Sequence, residues 1–488
     1  MIARKHAVAL LVLCTALRVV SLVRPCLSDD EATYCVVGRE MLTGHALYRD
    51  VVDHKPPAIY LVNELTQAIG GPVGGMVLLH LLLILTVWAT AMLLARIAAR
   101  AAPSSALYAA LLYIVFTTTL IDTDSLAANC ELFMMLPLVA SVELFLADQL
   151  LAAGALVGTA MLFKYQAGIQ LPLYAIALLQ RRSLRTITGG LAILAGVALP
   201  IAAVVAWLSL RGAADAAWFW FRFNFAYIDT GSSSAKLLQM ISRIGLVLAG
   251  AAPLYLLAIL AFRDRTPHRA FTIGWLAVSA LAIVVGGRFF GHYFHQVTAP
   301  LAVLAASRAA AFAECHRRAF IAALAVPAAA FFILAVAHDP LMRAAGEPDP
   351  DYGAVVAWLD SHGQPDDAVC IWGNSPVLYF EAARPLGCRF VFANYITGLS
   401  PATPSQSDPA IDSSKNSVPI ATDMMTADLA TRRPTFLIDG SPGNVGFYGK
   451  YPPDHFPWLA KILSCQYEPA ADVAGMRIYR RLATPRCS

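Results

Sequence analysis

Long apolar stretches recur through the first two thirds of this 488-residue chain and constrain its fold more than any other feature. A helix needs about 20 apolar residues to cross the hydrocarbon core of a bilayer. Hydrophobic residues make up 58% of the chain and charged residues 14%, whereas soluble domains have roughly 25% charged residues. The sequence therefore predicts a polytopic α-helical membrane protein. About eleven transmembrane helices are expected, near residues 6–27, 73–95, 104–120, 131–148, 150–164, 166–180, 187–209, 244–262, 270–286, 291–307 and 318–338.

Charge and cysteine content exclude several other classes. The formal net charge of +4 is too small for its length to indicate a nucleic-acid partner. Nine cysteines without a C-x-x-C pair argue against a zinc module or a thioredoxin-like centre. The first apolar segment lacks a clear small-residue cleavage site and further spans follow it, so an uncleaved helix is predicted instead of a signal peptide.

Basic residues predict how the chain is oriented in an inner (plasma) membrane. If the amino terminus is cytoplasmic, every basic cluster lies in an internal loop, as the positive-inside rule expects. The same alternation places the polar segments 28–72, 121–130 and 211–243 and the turn at Lys164 on the extracytoplasmic face. The clusters are Arg4-Lys5, Arg96 with Arg100, Arg181-Arg182 with Arg185, Arg263 with Arg265 and Arg269, and Arg317-Arg318.

After residue 338 the apolar runs end and Pro, Gly, Ser and Asp become frequent. We therefore expect a transmembrane domain over 1–338, with a catalytic external loop at 28–72, and an extracytoplasmic α/β domain over 339–488. Cysteines in that compartment can form disulfides, and its four cysteines allow three full pairings, of which none is preferred. The expected elements are a helix at 351–361, strands at 368–372, 389–393, 435–438 and 476–480, and a long loop at 400–419.

The external loop 28–72 concentrates ionisable residues beside a membrane, where such residues are costly and usually mark a site. Ser28 and Glu31 have the spacing of a helix capping box, and Asp29 and Asp30 suit the positive end of a helix dipole. Helix capping alone thus accounts for part of the acidity. Two interfacial helices are predicted in this loop.

The second half of the loop brings an acid, an imidazole and an ammonium together in Asp53-His54-Lys55-Pro56-Pro57. Pro57 suits the first turn of a helix over about 57–69, which would hold His54 and Lys55 at its amino end. Helix amino termini and lysines both attract anions. The segment therefore predicts a phosphate-binding site at the bilayer surface.

The order of these motifs resembles the first external loop of polyprenyl-phosphate-sugar glycosyltransferases of the protein O-mannosyltransferase and lipid A aminoarabinose transferase type. The resemblance implies a C-type glycosyltransferase fold, an extracytoplasmic site, a polyprenyl-phosphate sugar as donor and a hydroxyl acceptor on a lipid, glycan or protein. The matching residues are Asp30-Glu31, Tyr34, Gly44, Tyr48 and Lys55-Pro56-Pro57, with looser matches at 127–133, 163–166, 291–294 and 371–379.

This resemblance also assigns roles to residues. Asp30 is expected to be the general base that takes a proton from the acceptor hydroxyl as it attacks the anomeric carbon with inversion. Asp29 is its rival, because a one-residue slip in the match stays open. Lys55 is expected to stabilise the leaving phosphate. Further contacts to the donor phosphate are expected from Tyr293, His292, Lys164 and Arg288.

Several of these residues also have a simpler explanation. Tyr293 suits the membrane interface as an aromatic anchor, and Lys164 suits snorkelling to that interface. Glu131, which the resemblance assigns to metal binding or acceptor support, is also favourable as an acid at a helix amino terminus. Glu31 and Tyr34 are expected to support the acceptor or a metal in the same way.

A divalent metal is a further prediction from His54. This residue stands where the aminoarabinose transferases have a metal-binding Glu before K-P-P, and Thr33 stands where they have an Arg. Imidazole is a good ligand for zinc and related ions, so His54 is either a metal ligand or a neutral hydrogen-bonding residue. The metal's His partner is missing, and Asn224 occupies roughly its place.

A transporter or flippase of a lipid-linked sugar is the main alternative function. Transporters have repeated halves and broken polar helices near the bilayer midplane, whereas this chain has no evident repeat and its charges cluster on one face. A sensor or assembly factor anchored by the membrane part is a third alternative, but eleven spans are excessive for an anchor.

Overall fold

The computed structural model describes residues 2–24, 26–120, 125–180, 185–228, 233–285, 287–344, 350–400, 406, 408 and 410–487. Helices dominate the chain up to residue 344, and one small β-sheet lies near the carboxyl end. This arrangement confirms the predicted fold class, a helical membrane protein with a carboxyl-terminal α/β region. The boundary between the two predicted domains stays a prediction.

The helices of the first part follow one another with short connections. They are α1 (Arg4–Leu17), α2 (Val19–Val23), α3 (Asp29–Leu42), α4 (Ala58–Ala99), α5 (Ser105–Thr118), α6 (Cys130–Leu146), α7 (Leu150–Met161), α8 (Leu171–Gln180), α9 (Arg185–Leu210), α10 (Ala214–Ile228), α11 (Ser233–Gly250), α12 (Ala252–Ala261), α13 (Arg269–Val285), α14 (His295–Cys315) and α15 (Arg317–Ala344). Short 3₁₀ helices at Tyr165–Gln170 and Gly291–Phe294 precede α8 and α14.

Each predicted span coincides with helical structure, while the number of spans stays a prediction. In the part of the chain that the structure describes, four helices are long and apolar enough to cross a membrane, and a bent pair makes a fifth if it counts as one span. Shorter apolar helices lie between them. The four helices are Ala58–Ala99, Thr186–Leu210, Gly291–Cys315 and Arg317–His338.

The span predicted at 244–262 is sharply bent near its middle. The helical segments on either side of Ala251 are bent by 85° relative to each other. Pro253 lies in the first turn of α12, where the absence of its N–H and its fixed φ favour a new helix start over continuation of α11.

The two helices predicted in the external loop are present. The second is continuous with the following span, because α4 runs from Ala58 to Ala99 with a break at Gly71. Gly71 has a φ of 67°, a backbone conformation that glycine adopts readily and most residues do not. The interfacial helix and the membrane helix are therefore joined by a kink without a loop.

The first predicted span is interrupted at Arg18, between α1 and α2. The side chain of Arg18 is buried and donates hydrogen bonds to the carbonyl oxygens of Ser125 (3.3 Å) and Leu126 (2.6 Å). Buried charges need such partners. The guanidinium thereby holds Ser125 and Leu126, in the segment before α6, against the amino-terminal helix.

The carboxyl-terminal region contains a four-stranded sheet with strand order β1-β2-β4-β3. β1 and β2 are parallel, and the other neighbours are antiparallel. Its elements are α16 (Tyr352–His362), β1 (Val369–Trp372), α17 (Pro376–Ala382), α18 (Asn394–Thr397), α19 (Ala421–Thr431), β2 (Phe436–Asp439), α20 (Pro457–Gln466), β3 (Tyr467–Val473) and β4 (Met476–Arg481).

The sheet agrees only in part with the sequence prediction. The predicted helix at 351–361 and three of the strands are confirmed. The strand predicted at 389–393 is wrong, because only Phe390 forms an isolated bridge there, to Val52. β3 was not predicted, since it is mostly exposed and contains Pro469. Part of the predicted loop at 400–419 lies outside the described residues.

The carboxyl-terminal region lies directly against the first external loop. The N–H of Val52 donates to the carbonyl of Arg389 at 2.8 Å, and the Arg39 guanidinium donates to the carbonyls of Tyr379 (3.0 Å) and Arg384 (3.3 Å). These bonds fix α3 and the segment before Lys55 to the carboxyl-terminal region.

Candidate active site

The adjacent acids Asp30 and Glu31 at the start of α3 have different surroundings. The Ser28 hydroxyl accepts from the Glu31 N–H at 3.3 Å, as the capping box predicts, and the Glu31 carboxylate reaches back to the Leu27 N–H at 2.7 Å. Its other oxygen accepts from the Ala128 N–H and lies 3.3 Å from His80. Glu31 is fully buried. Its contacts tie the start of α3 to the segment that precedes α6.

Asp30 points the other way, into a large cavity. Its carboxylate lies 2.7 Å from the ammonium of Lys55, and its side chain is 40% exposed. Asp29 is also exposed and lines the same cavity. Of the two candidates for a general base, Asp30 is therefore the one that forms an ion pair with the predicted phosphate-binding lysine.

Lys55 is held in place from several directions. Its ammonium donates to the Tyr34 hydroxyl and lies 4.6 Å from the centre of that ring, and its backbone carbonyl accepts from the Tyr48 hydroxyl at 2.7 Å. Burial lowers the pKa of Lys55, but the carboxylates of Asp30 and Asp53 outweigh this and raise it above its ordinary value. Lys55 is therefore a fixed cation at neutral pH.

Asp53 is a site residue to which the sequence analysis assigned no role of its own. It is buried and accepts from the Tyr60 hydroxyl at 2.7 Å, the His54 N–H at 2.7 Å and the Tyr395 hydroxyl at 3.3 Å. Burial would raise its pKa, but His54 and Lys55 hold that pKa well below its ordinary value. Its place two residues before the lysine was the only signal in the sequence.

His54 is engaged by protein groups. Its Nδ1 lies 3.1 Å from the Tyr395 hydroxyl and 3.0 Å from Asp53, and its carbonyl accepts from the Asn224 amide at 2.8 Å. Within the described residues, no group of three or more His, Cys, Asp or Glu side chains could hold a metal ion. The divalent metal expected from His54 therefore stays a prediction.

A second cation, Lys164, lies where α7 ends and the 3₁₀ helix begins. Its ammonium pairs with the Glu131 carboxylate and lies 4.2 Å from the centre of the Tyr293 ring. His292 approaches the same carboxylate at 3.6 Å and stacks on Phe290. The structure thus brings together Glu131, Lys164, His292 and Tyr293, which lie far apart in the sequence.

The cavity joins these groups and has a volume of about 1150 Å³. Asp30, Lys55, Lys164, His292 and Tyr293 all line it. Neither Glu31, Tyr34 nor Glu131 is among the described residues that line it. These three side chains contact the lining cations or the adjacent loops, and the support of an acceptor or a metal expected for them stays a prediction.

The cavity lining combines apolar and polar side chains from both parts of the chain. Part of the Trp218–Phe221 run lies in this lining, and its composition is that of an aromatic interfacial belt. The helical part contributes the apolar residues Met161, Ile169, Phe219, Phe221, Phe223, Phe225 and Val285. The carboxyl-terminal region contributes the polar residues Asn374, Asn394, Ser400, Lys415, Asn416 and Ser417, together with Phe392, Tyr395, Leu399 and Val418. Such a cavity suits a ligand with a long apolar part and a polar head.

Arg288 links the helical part of the cavity lining to the carboxyl-terminal region. It is buried and donates to the Ser400 hydroxyl at 2.9 Å, and both residues line the cavity. The predicted cluster of positive charge is therefore extended towards the carboxyl-terminal region.

Comparisons with known proteins identify a similar family and a similar fold. Residues 54–208, which include Lys55, Glu131 and Lys164, match the sequence model of the family described as dolichyl-phosphate-mannose-protein mannosyltransferase. The chain also has the fold of ArnT from Cupriavidus metallidurans. The ArnT structure bound to undecaprenyl phosphate gives a TM-score of 0.63 at 16% identity over 99% of both chains. The apo ArnT structure gives 0.63 at 15% identity over 98% of both chains.

No curated protein matches the chain at a significant level. The family match and the ArnT likeness nevertheless confirm the predicted resemblance, since they name the same two kinds of protein. At these identities the structural likeness establishes the C-type fold.

Proposed function

We propose that the chain is a membrane glycosyltransferase that moves a sugar from a polyprenyl-phosphate donor to a hydroxyl acceptor on the extracytoplasmic face. The observation that carries this proposal is the cavity in which the Asp30 carboxylate lies 2.7 Å from Lys55, with a second lysine, Lys164, on the same lining. A carboxylate beside fixed cations is suited to activate a nucleophile next to an anionic leaving group.

The donor fits the mixed lining of the cavity. The apolar and aromatic lining residues suit the isoprenoid chain, and the two lysines suit the phosphate. One of the similar ArnT structures was obtained with undecaprenyl phosphate, and a lipid of that chemical class is the donor carrier proposed for this chain. Tyr293 and His292, beside Lys164, complete the proposed phosphate contacts.

The leaving group is a phosphodiester that becomes a phosphomonoester, so it needs charge stabilisation more than protonation. Lys55 and Lys164 supply two cations that are held in place before the reaction. Fixed charges of this kind stabilise developing negative charge without reorganisation during the step. Glu131 acts on the phosphate through Lys164, by keeping that ammonium in position.

Asp30 is proposed to accept the proton of the acceptor hydroxyl as its oxygen attacks the anomeric carbon. A single displacement of this kind inverts the configuration at that carbon. The residues of the site do not specify the sugar, the isoprenoid length or the choice among lipid, glycan and protein acceptors. The polar residues that the carboxyl-terminal region contributes to the lining are proposed to face the acceptor.

The test uses purified protein in nanodiscs with a panel of radiolabelled polyprenyl-phosphate sugars, and it measures release of polyprenyl phosphate. Asp30→Asn should lower turnover by about 10²- to 10⁴-fold, the usual contribution of a general base, and leave binding of polyprenyl phosphate nearly unchanged. Asp29→Asn is the matched control and should keep most of the turnover. The reverse pattern would move the base to Asp29.

The same assay separates an enzyme from a transporter. A flippase moves the intact lipid-linked sugar between leaflets and releases no polyprenyl phosphate. Translocation without release, at equal rates in wild type and Asp30→Asn, would replace the proposed activity with the transporter alternative.

A further inference from the structure

Two buried cysteines of the carboxyl-terminal region lie side by side. The sulfur atoms of Cys370 and Cys388 are 2.7 Å apart, and both side chains are fully buried. Carbon atoms that are not bonded to each other pack at about 3.5–4.0 Å, and sulfur atoms are larger than carbon. The two sulfur atoms are therefore closer than ordinary packing brings them.

The backbones that carry these two sulfur atoms are already paired. The Val369 N–H donates to the Pro385 carbonyl at 3.0 Å, and the Gly387 N–H donates to the Val369 carbonyl at 2.8 Å. These bonds hold β1 next to the chain that leads into Cys388. A disulfide forms without backbone movement only where the two cysteines are held face to face in this way.

We propose that Cys370 and Cys388 form a second disulfide in the mature protein, in addition to the bond between Cys465 and Cys487. Each thiol loses a proton, and the two electrons pass to the disulfide of a thiol-oxidising protein of the extracytoplasmic compartment, which becomes a dithiol. The proposal rests on the extracytoplasmic position predicted for this region and is independent of glycosyl transfer.

The bond would connect the sheet to the first external loop. Cys388 precedes Arg389 and Phe390, which hold Val52 by a backbone hydrogen bond and a β-bridge. A cross-link between residues 18 positions apart stabilises a fold mainly by constraining the unfolded chain. The disulfide is thus expected to stabilise the surface on which the Asp53–Lys55 segment rests.

Thiol counting on the full-length purified protein tests the proposal. The protein is denatured without reductant and its free thiols are labelled with iodoacetamide. The labelled cysteines are then counted by mass spectrometry. Five labels are expected, on the residues outside both pairs. These are Cys14, Cys26, Cys35, Cys130 and Cys315. Seven labels, including Cys370 and Cys388, would overturn the proposal.

A single substitution makes the outcome unambiguous. If the bond exists, Cys388→Ser releases the thiol of Cys370 and raises the count from five to six. If both residues are thiols in the wild type, the same substitution lowers the count from seven to six. Cys315→Ser, at an exposed cysteine, is the matched control and lowers the count by one in either case.

Peptide mapping identifies the partners directly. A protease that cleaves after glutamate cuts at Glu381, which lies between the two cysteines. The resulting peptides should stay linked until a reductant is added. Separate peptides before reduction would refute the bond, whatever the activity of the protein.

Discussion

Two lysine–carboxylate pairs lie at the same cavity and differ in the surroundings of the carboxylate. The Asp30 side chain is 40% exposed and lines the cavity, whereas Glu131 is 2% exposed and lies behind Lys164. An exposed carboxylate can meet an acceptor hydroxyl, while a buried one can only hold its cation. Two similar ion pairs can therefore differ in role, and the difference in exposure supports the proposed proton transfer at the first pair and the proposed positioning role of the second.

The largest effect on stability should come from breaking the buried pair. Glu131→Gln leaves the ammonium of Lys164 without its carboxylate, which typically costs about 3–5 kcal/mol. Thermal unfolding in detergent measures the loss. The double substitution of Glu131→Gln with Lys164→Met should recover much of the stability, because it removes both charges. Equal stability of Glu131→Gln and Asp30→Asn would break the proposed contrast between the two pairs.

The next effect concerns the donor phosphate. Lys55→Met keeps most of the apolar stem and removes the charge, so binding of polyprenyl phosphate and turnover should fall together. The expected loss is about 10- to 150-fold, for a charged hydrogen bond of about 1.5–3 kcal/mol. Calorimetric titration and the release assay measure the two quantities. Lys55→Arg, which keeps the charge, should bind better than Lys55→Met. Unchanged titration of Lys55→Met would remove this lysine from the phosphate site.

A smaller loss is expected at Asp53, with a definite pH dependence. Because the folded pKa of Asp53 is lowered, its stabilisation is complete above its ordinary value, about pH 4, and is lost as pH falls towards the folded value. Asp53→Asn should cost about 1–3 kcal/mol at neutral pH. The difference in melting temperature from wild type should shrink on acidification, and a difference that stays constant with pH would contradict the lowered pKa.

The smallest effect should follow Tyr395→Phe. This change removes one hydroxyl from Asp53 and His54 and keeps the aromatic contacts, so it should cost about 0.5–1.5 kcal/mol. Donor binding should weaken slightly while the turnover number of saturated enzyme stays close to wild type. A loss as large as that of Lys55→Met would place Tyr395 in direct contact with the donor.

The sequence was informative where a single local pattern decides the outcome. Apolar length located the helices, and the spacing of Ser28 and Glu31 located the start of α3. The family resemblance brought Asp30 and Lys55 to attention before their ion pair was visible. These features depend on residues that are close together in the chain or on a motif of fixed order.

What could not be predicted depends on contacts between distant segments. Asp53 became a site residue only because Tyr60 and Tyr395 bind it, and Tyr395 lies 342 positions away. The ion pair between Glu131 and Lys164 joins residues 33 positions apart, and neither position alone indicates it. The strand expected at 389–393 failed because its backbone partner is Val52, in another region of the molecule.

The bond between the Val52 N–H and the Arg389 carbonyl has a consequence for engineering. It fixes the external loop three residues before Lys55. The position of the Lys55 ammonium therefore depends on the position of the carboxyl-terminal region. A chimaera that takes this region from a relative should be built with the matching loop from the same relative. Grafting either piece alone should displace Lys55 and so change the geometry of the proposed phosphate site.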